Sequence, residues 1–268
     1  MNEQLLVRHG RALSLAIGFF SRLPASRQKP VGHEDVGRSI VYMPLVGTLI
    51  GVLLIAIVRV FTQAILIWHG GMINALHLLL IGLLAFVMLT LLSGSLHLDG
   101  LGRCADAWGN RSVNKKKTLQ ILQKSTCGST AIAVIAIILL VKAGAIIALV
   151  INQFWLPILL IPALSRTAGM NLFFNTLYID SKGLGKAFAD FAVDQETRTE
   201  FGFALLLGLL IPLFLLLPVW PVIIVTFALW LWLRQQSIKW LGGFNSDVCG
   251  AVIEIIETAL FLSVALLI

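Results

Sequence analysis

The run STAIAVIAIILLVKAGAIIALVI at 129–151 carries a single charge, Lys142, and it exceeds the roughly 20 residues of helix that cross bilayer hydrocarbon. Comparable runs lie at 39–58, 73–96, 154–177 and 248–268. The stretch 202–235 admits one long span or two short ones, 202–217 and 219–235, and Pro212, Pro218 and Pro221 favour a break near Pro218. Lipid offers no partner for an open backbone, so only helices and closed barrels cross it. The expected fold class is all-α: a polytopic transmembrane helix bundle of about seven spans, with six as the alternative. Charged residues, 12% of the 268, stand at about half the ~25% usual in soluble domains.

The basic residues give an orientation. Six Lys and Arg fall in 1–38, six in 97–128, three in 178–201 and two in 234–247. With seven spans all four segments share one side, and only Arg59 lies near the other. The positive-inside rule then puts the N-terminus and these loops in the cytoplasm and the C-terminus outside, in a cytoplasmic (inner) membrane. Residues 1–38 read as an N-terminal interfacial segment, with a short amphipathic helix near 12–20 and no cleavage pattern. Residues 39–268 read as the bundle, with cytoplasmic loops 97–128, 178–201 and 236–247. In the six-span alternative the last helix reverses, and Asp247 is separated from Asp99 by a whole membrane.

Several functions lose support at this stage. The net charge of +7 is accounted for by the loops, and no basic segment interleaved with aromatics points to nucleic acid. Cys104, Cys127 and Cys249 show no CxxC or Cys/His pairing, which argues against zinc and disulfides. The matching broken halves of inverted-repeat carriers are not visible. Gly47 and Gly51 form a GxxxG pair whose use is close helix packing.

The polar residues concentrate in 94–130. Asp99 and Asp106 are seven residues apart, which on a continuous helix puts both carboxylates on one face. Such a pair suits a hard cation such as Mg²⁺, held by carboxylate oxygen and substrate phosphate; a solvated or capping pair at a helix end is the alternative. His97, two residues before Asp99, points elsewhere on a helix. Lys142, Arg166, Glu254 and Glu257 lie inside spans, where ionisable groups face the bundle interior. Asp247, Gly250, Glu254 and Glu257 share one helix face. Two readings stay open: ion pairs among these groups, or an anion site in which Lys and Arg receive phosphate while carboxylates hold a metal. GGFNSD at 242–247 is a Gly-rich loop opening a helix, a place where free N–H groups meet phosphate.

These residues carry a resemblance. FFSRLPA at 19–25, SIVYMPLVGTLIG at 39–51, HLDGLGRCADAW at 97–108, KTLQILQKSTCGSTA at 117–131, SRTAGM at 165–170 and LGGFNSDVCGAVIEIIE at 241–257 resemble, in order, elements of the cobalamin synthase (adenosylcobinamide-GDP ribazoletransferase) family. The resemblance implies an Mg²⁺-dependent phosphotransferase. It would join adenosylcobinamide-GDP to alpha-ribazole or its 5′-phosphate, giving adenosylcobalamin or its phosphate plus GMP. It implies Asp99, Asp106, His97, Lys142 and Arg166 as catalytic residues. Gly242, Gly243, Ser125, Arg103 and Lys124 would contact substrate, and Asp99, Asp106, Asp247, Glu254 and Glu257 would hold the metal. Implied partners are the two substrates and the lipid bilayer, with a homo-oligomer left open.

Two positions depart from the family pattern. Arg103 and Lys124 stand where the family has aspartate, and each reverses the charge. A diverged, impaired member is thus one alternative, as is a non-enzymatic membrane carrier or assembly protein. A phospholipid-making phosphotransferase needs a longer aspartate run than this chain has.

Overall fold

The computed structural model describes residues 3–25, 32–109, 115–123, 127–194, 198–215 and 220–268. Among them no β-strand forms, and one isolated parallel bridge joins Tyr178 to Phe244. The chain is all-α, as expected.

Helix α1 (Glu3–Phe20) buries Ala12, Ala16 and Phe20 at four-residue spacing and leaves Arg8 and Arg11 exposed, the pattern of a helix with one apolar stripe. It is longer than the segment expected over 12–20. Helix α2 (His33–Arg38) and a 3-10 turn (Ser39–Tyr42) lead directly into α3 (Met43–Trp68). Pro44 sits in the first turn of α3, where its missing amide leaves no bond unmade. The run expected at 73–96 divides. Gly94 and Ser95 adopt left-handed backbone, at φ 69° and 55°, ending α4 (Ala75–Leu92) and starting α5 (Leu96–Gly109). After the short α6 (Lys115–Leu122) come α7 (Ser129–Ile151), α8 (Trp155–Asn175) and α9 (Leu184–Val193). The last three are α10 (Arg198–Leu215), α11 (Trp220–Leu241) and α12 (Ser246–Leu267).

Among the described residues, five helical stretches are long and apolar enough to cross a membrane: His33–Trp68, Ala75–Leu92, Ser129–Ile151, Trp155–Asn175 and Ser246–Leu267. They correspond to the five unbroken runs read from the sequence. The ambiguous stretch 202–235 forms two helices, α10 and α11; Pro218 itself lies outside the described residues.

The directions of these two helices decide the arrangement of the C-terminal third. The Arg198 guanidinium lies over the Phe174 ring, and the Thr167 hydroxyl donates to the Gly208 carbonyl, so α10 runs antiparallel to α8. Trp230 Nε1 donates to the Ala168 carbonyl, and Arg234 donates to the Asn175 carbonyl and the Thr176 hydroxyl, so α11 runs parallel to α8. The chain therefore returns to the end of the bundle where α8 stops, and α12 starts there. The six-span alternative fails on this geometry, since Asp247 and Asp99 meet the same arginine, at 3.5 Å and 2.8 Å.

Helix α8 is the central element, packed by α3, α12 and α10. Its closest neighbour is α3, because Gly47 and Gly51 present no side chain. A Cβ at Gly47 would strike the Pro162 carbonyl, and one at Gly51 the Leu159 carbonyl. The GxxxG pair thus serves helix packing, as read from sequence. Gly51→Leu should cost roughly 1–3 kcal/mol or more by overpacking and lower the unfolding temperature in detergent. Gly144, exposed on α7 with open space beside it, is the control: Gly144→Ala should be neutral or stabilising by up to about 1 kcal/mol. Equal melting of the Gly51 variant and the wild type would refute this account of the α3–α8 contact.

Candidate functional site

The start of α12 and the start of α5 lie against each other because neither helix has a side chain at the crossing. A Cβ on Gly100 would sit 2.5 Å from the Asp247 carbonyl oxygen, and one on Gly250 3.1 Å from His97 Cα. This approach brings the 97–108 and 241–257 stretches together. Arg103 joins them: its Nη2 lies 2.8 Å from Asp99 Oδ2, one turn earlier on α5, and its Nη1 lies 3.5 Å from Asp247 Oδ1 on α12. The Asp99 side chain is 65% exposed, that of Arg103 34% and that of Asp247 19%, so the cluster opens to solvent at one rim.

The loop 242–245 is held by backbone pairing and by two of its side chains. Ile179 N donates to the Phe244 carbonyl and Phe244 N to the Leu177 carbonyl, both at 2.9 Å. Phe244 is fully buried against Phe173 and Tyr178. Gly242 takes φ +79°, a left-handed conformation suited to glycine, and a Cβ there would lie 2.7 Å from Lys115 Nζ. Gly243 packs on the Leu177 carbonyl, so its lack of a side chain serves this pairing. Asn245 caps α12, accepting from Val248 N at 3.0 Å, and its Nδ2 donates to Asp247 Oδ2 at 3.2 Å. The Tyr178 hydroxyl lies 2.8 Å from Ser246 Oγ; burial raises its pKa, opposed by the hydrogen bond it shares with Ser246. Burial also raises the Asp180 carboxyl.

The five carboxylates expected to hold a metal do not form one cluster. Asp99 and Asp247 sit at the Arg103 cluster. Asp106, two turns further along α5, accepts from Gly128 N at 2.6 Å and Ala131 N at 2.9 Å. It caps the start of α7, the alternative that its spacing left open. Glu254 and Glu257 lie deeper along α12 and belong to a buried ion-pair network. Lys142 bonds both, and its Nζ is 2.9 Å from Glu257 Oε1. Arg166 Nη1 and Ser165 Oγ each donate to Glu257 Oε2 at 2.9 Å. Lys142, Arg166, Glu254 and Glu257 are all at most 4% exposed. Of the two readings of these groups, the geometry is that of mutual ion pairs linking α7, α8 and α12. All four are buried, and Arg166 keeps two nitrogens, Nε and Nη2, without a hydrogen-bond partner among the described residues.

His97 is buried, and its backbone packs on Gly250. It points away from the exposed Asp99, as a two-residue offset predicts. Its Nε2 finds no partner among the described residues. Burial, followed by the Arg166 charge, pushes the imidazole down to about 3, so it is neutral near pH 7. Lys124 and Ser125 lie outside the described residues.

A hard cation needs carboxylate oxygens turned toward one point. Here both Asp106 oxygens accept from amides, Glu254 and Glu257 hold Lys142 and Arg166, and Asp247 has Asn245 on one oxygen and Arg103 on the other. Among the described residues no group of three or more His, Cys, Asp or Glu is arranged to hold an ion. The side chains as placed do not fit a protein-held Mg²⁺.

Sequence reading missed Lys115, Tyr178 and Asn245. Asn245 carried a signal, being a capping residue just before an apolar run. Tyr178 carried none, because its place depends on pairing with a loop some sixty residues away.

A family model described as cobalamin-5-phosphate synthase matches residues 12–265. Curated relatives carry the name adenosylcobinamide-GDP ribazoletransferase. One from Pseudomonas fluorescens is 37% identical over 252 residues, covering 94% of this chain and 98% of the relative. One from Pseudomonas savastanoi pv. phaseolicola is 34% identical over 261 residues with the same coverage. One from Pseudomonas putida is 35% identical over 252 residues, covering 94% of this chain and 97% of its own length. No solved structure matches.

Removing one partner from a buried ion-pair network strands the other, at about 3–5 kcal/mol. Glu257→Gln should therefore lower thermal stability in detergent far more than Asp106→Ala, which removes a cap worth about 1 kcal/mol. Glu257→Gln melting within about 1 kcal/mol of wild type would show that the network is not holding α7, α8 and α12 together.

Proposed function

The chain belongs to the cobalamin-5-phosphate synthase family, and from that premise we propose that it joins adenosylcobinamide-GDP to alpha-ribazole or its 5′-phosphate with release of GMP. The observation that carries this reading is the meeting of α5 and the start of α12 around Arg103. It brings two of the stretches that resemble the family, 97–108 and 241–257, to one rim at which Asp99 is exposed.

The reaction is a phosphoryl transfer, in which positioning and charge neutralisation outweigh covalent chemistry. A ribose hydroxyl oxygen forms a bond to the phosphorus next to cobinamide. The bond from that phosphorus to the GMP oxygen breaks, and the electron pair leaves with GMP. Asp99, the most exposed acid of the cluster, is the group to take the hydroxyl proton. Arg103 and Lys115 supply positive charge to the diphosphate. The amides that open α12 lie at the same rim. The family resemblance implies Mg²⁺, which when bound would neutralise diphosphate charge. The steps above run through the chain's own residues, because the side chains as placed do not fit that ion.

We place the protein in the cytoplasmic membrane with its N-terminus inside. The support is the basic character of segments 1–38, 97–128, 178–201 and 234–247 and the solubility of phosphorylated substrates. In inside-out vesicles, cysteines introduced at positions 99 and 247 should label with an impermeant maleimide, and in right-side-out vesicles neither should. Labelling of the two from opposite sides would overturn both the topology and the shared site.

Purified protein with adenosylcobinamide-GDP and alpha-ribazole should release GMP only when both substrates are present. Asp99→Asn should slow release about 100-fold or more while the protein remains monodisperse. Arg103 held between two carboxylates favours a second reading, an impaired family member. In that case activity appears only after Arg103→Asp combined with Lys124→Asp. No GMP from either protein would overturn the assignment.

A further inference from the structure

Arg103 stands where acidic side chains of two helices face each other. Its two terminal nitrogens reach different partners, Asp99 at 2.8 Å and Asp247 at 3.5 Å. Two carboxylates facing one positive centre is the arrangement a divalent ion imposes on its ligands. Here a guanidinium supplies that centre, and it does not deprotonate in proteins. Each Asp247 oxygen already faces a donor: Asn245 Nδ2 donates to Oδ2, and the Arg103 guanidinium pairs with Oδ1. The close Gly100–Asp247 approach keeps the two helix backbones beside each other whether or not the cation is present.

We propose that Arg103 is a resident cation that takes the place of a divalent ion between Asp99 and Asp247, so that the acidic pair binds such ions only weakly in this chain. The inference concerns the same rim as the transferase reading and deepens it. It is read out by ion binding alone, so a protein that releases no GMP still answers the question.

Three consequences follow from the charges. Neutralising position 103 leaves Asp99 and Asp247 facing each other uncompensated, and a divalent ion then relieves the repulsion. An aspartate at 103 adds a third oxygen donor. A lysine keeps the charge but gives up the forked reach to two carboxylates.

The test uses the full chain in detergent, with Mn²⁺ as the probe and loss of its free electron-paramagnetic-resonance signal as the readout. Arg103→Gln and Arg103→Asp should bind one Mn²⁺ at least about tenfold more tightly than wild type. Arg103→Lys should stay within about threefold of wild type. Adding Asp99→Asn to Arg103→Gln should abolish the gain. If Arg103→Asp does not fold, Arg103→Gln, of similar length and uncharged, decides. Arg103→Gln that is monodisperse and binds no more tightly than wild type overturns the proposal. The wild type alone can also overturn it, by binding Mn²⁺ as tightly as the variants are expected to, in a manner that Asp99→Asn removes.

Discussion

Lys142, Arg166, Glu254 and Glu257 lie in the interior of this bundle, and their mutual pairing is the constraint on which the rest of the arrangement depends. Lys142 on α7 and Arg166 on α8 both reach carboxylates on α12. Unpaired charges at that depth are too costly to retain, so α12 has little freedom to slide or rotate relative to its neighbours. Buried ion pairs are weak evidence for net stability, because desolvation offsets much of their attraction. Their clearer effect here is on register. Once Glu254 and Glu257 are fixed, the first turn of α12 is fixed as well.

That register has a chemical consequence about two turns away. It sets Asp247 beside Gly100 and brings Arg103 within reach of both Asp247 and Asp99. The loop before α12 is held independently, through the Tyr178–Phe244 bridge and the buried Phe244 ring. The polar rim is thus supported from beneath by ion pairs and from the side by an aromatic nest. Its surface groups, Asp99 and Arg103, are left as the solvent-facing part. A site that handles a charged, water-soluble substrate at a membrane protein's edge needs this division between a rigid base and an accessible rim.

Residues of one chemical type have sorted by depth into different tasks. Five carboxylates that look equivalent in the sequence divide into a rim pair, a helix cap and two members of an internal ion-pair network. Asp106 illustrates the cause. Its seven-residue distance from Asp99 does place both on one helix, but the start of α7 comes close enough for its amides to occupy both Asp106 oxygens. Spacing along a helix gives the face; what the face meets depends on the neighbouring helix.

The sequence by itself determined the membrane class, the five unbroken spans, the close packing at Gly47 and Gly51, and the family to which the motifs belong. These are properties of composition and period, carried within single segments and legible without knowing their neighbours. Only the tertiary structure decided that 202–235 doubles back, that Asp247 and Asp99 share one end, which carboxylates pair with which cations, and that Arg103 holds two acids at once. Each of these depends on the distance between segments far apart in the chain. Such distances follow from how side chains of several helices fill one interior together, and no local pattern records that.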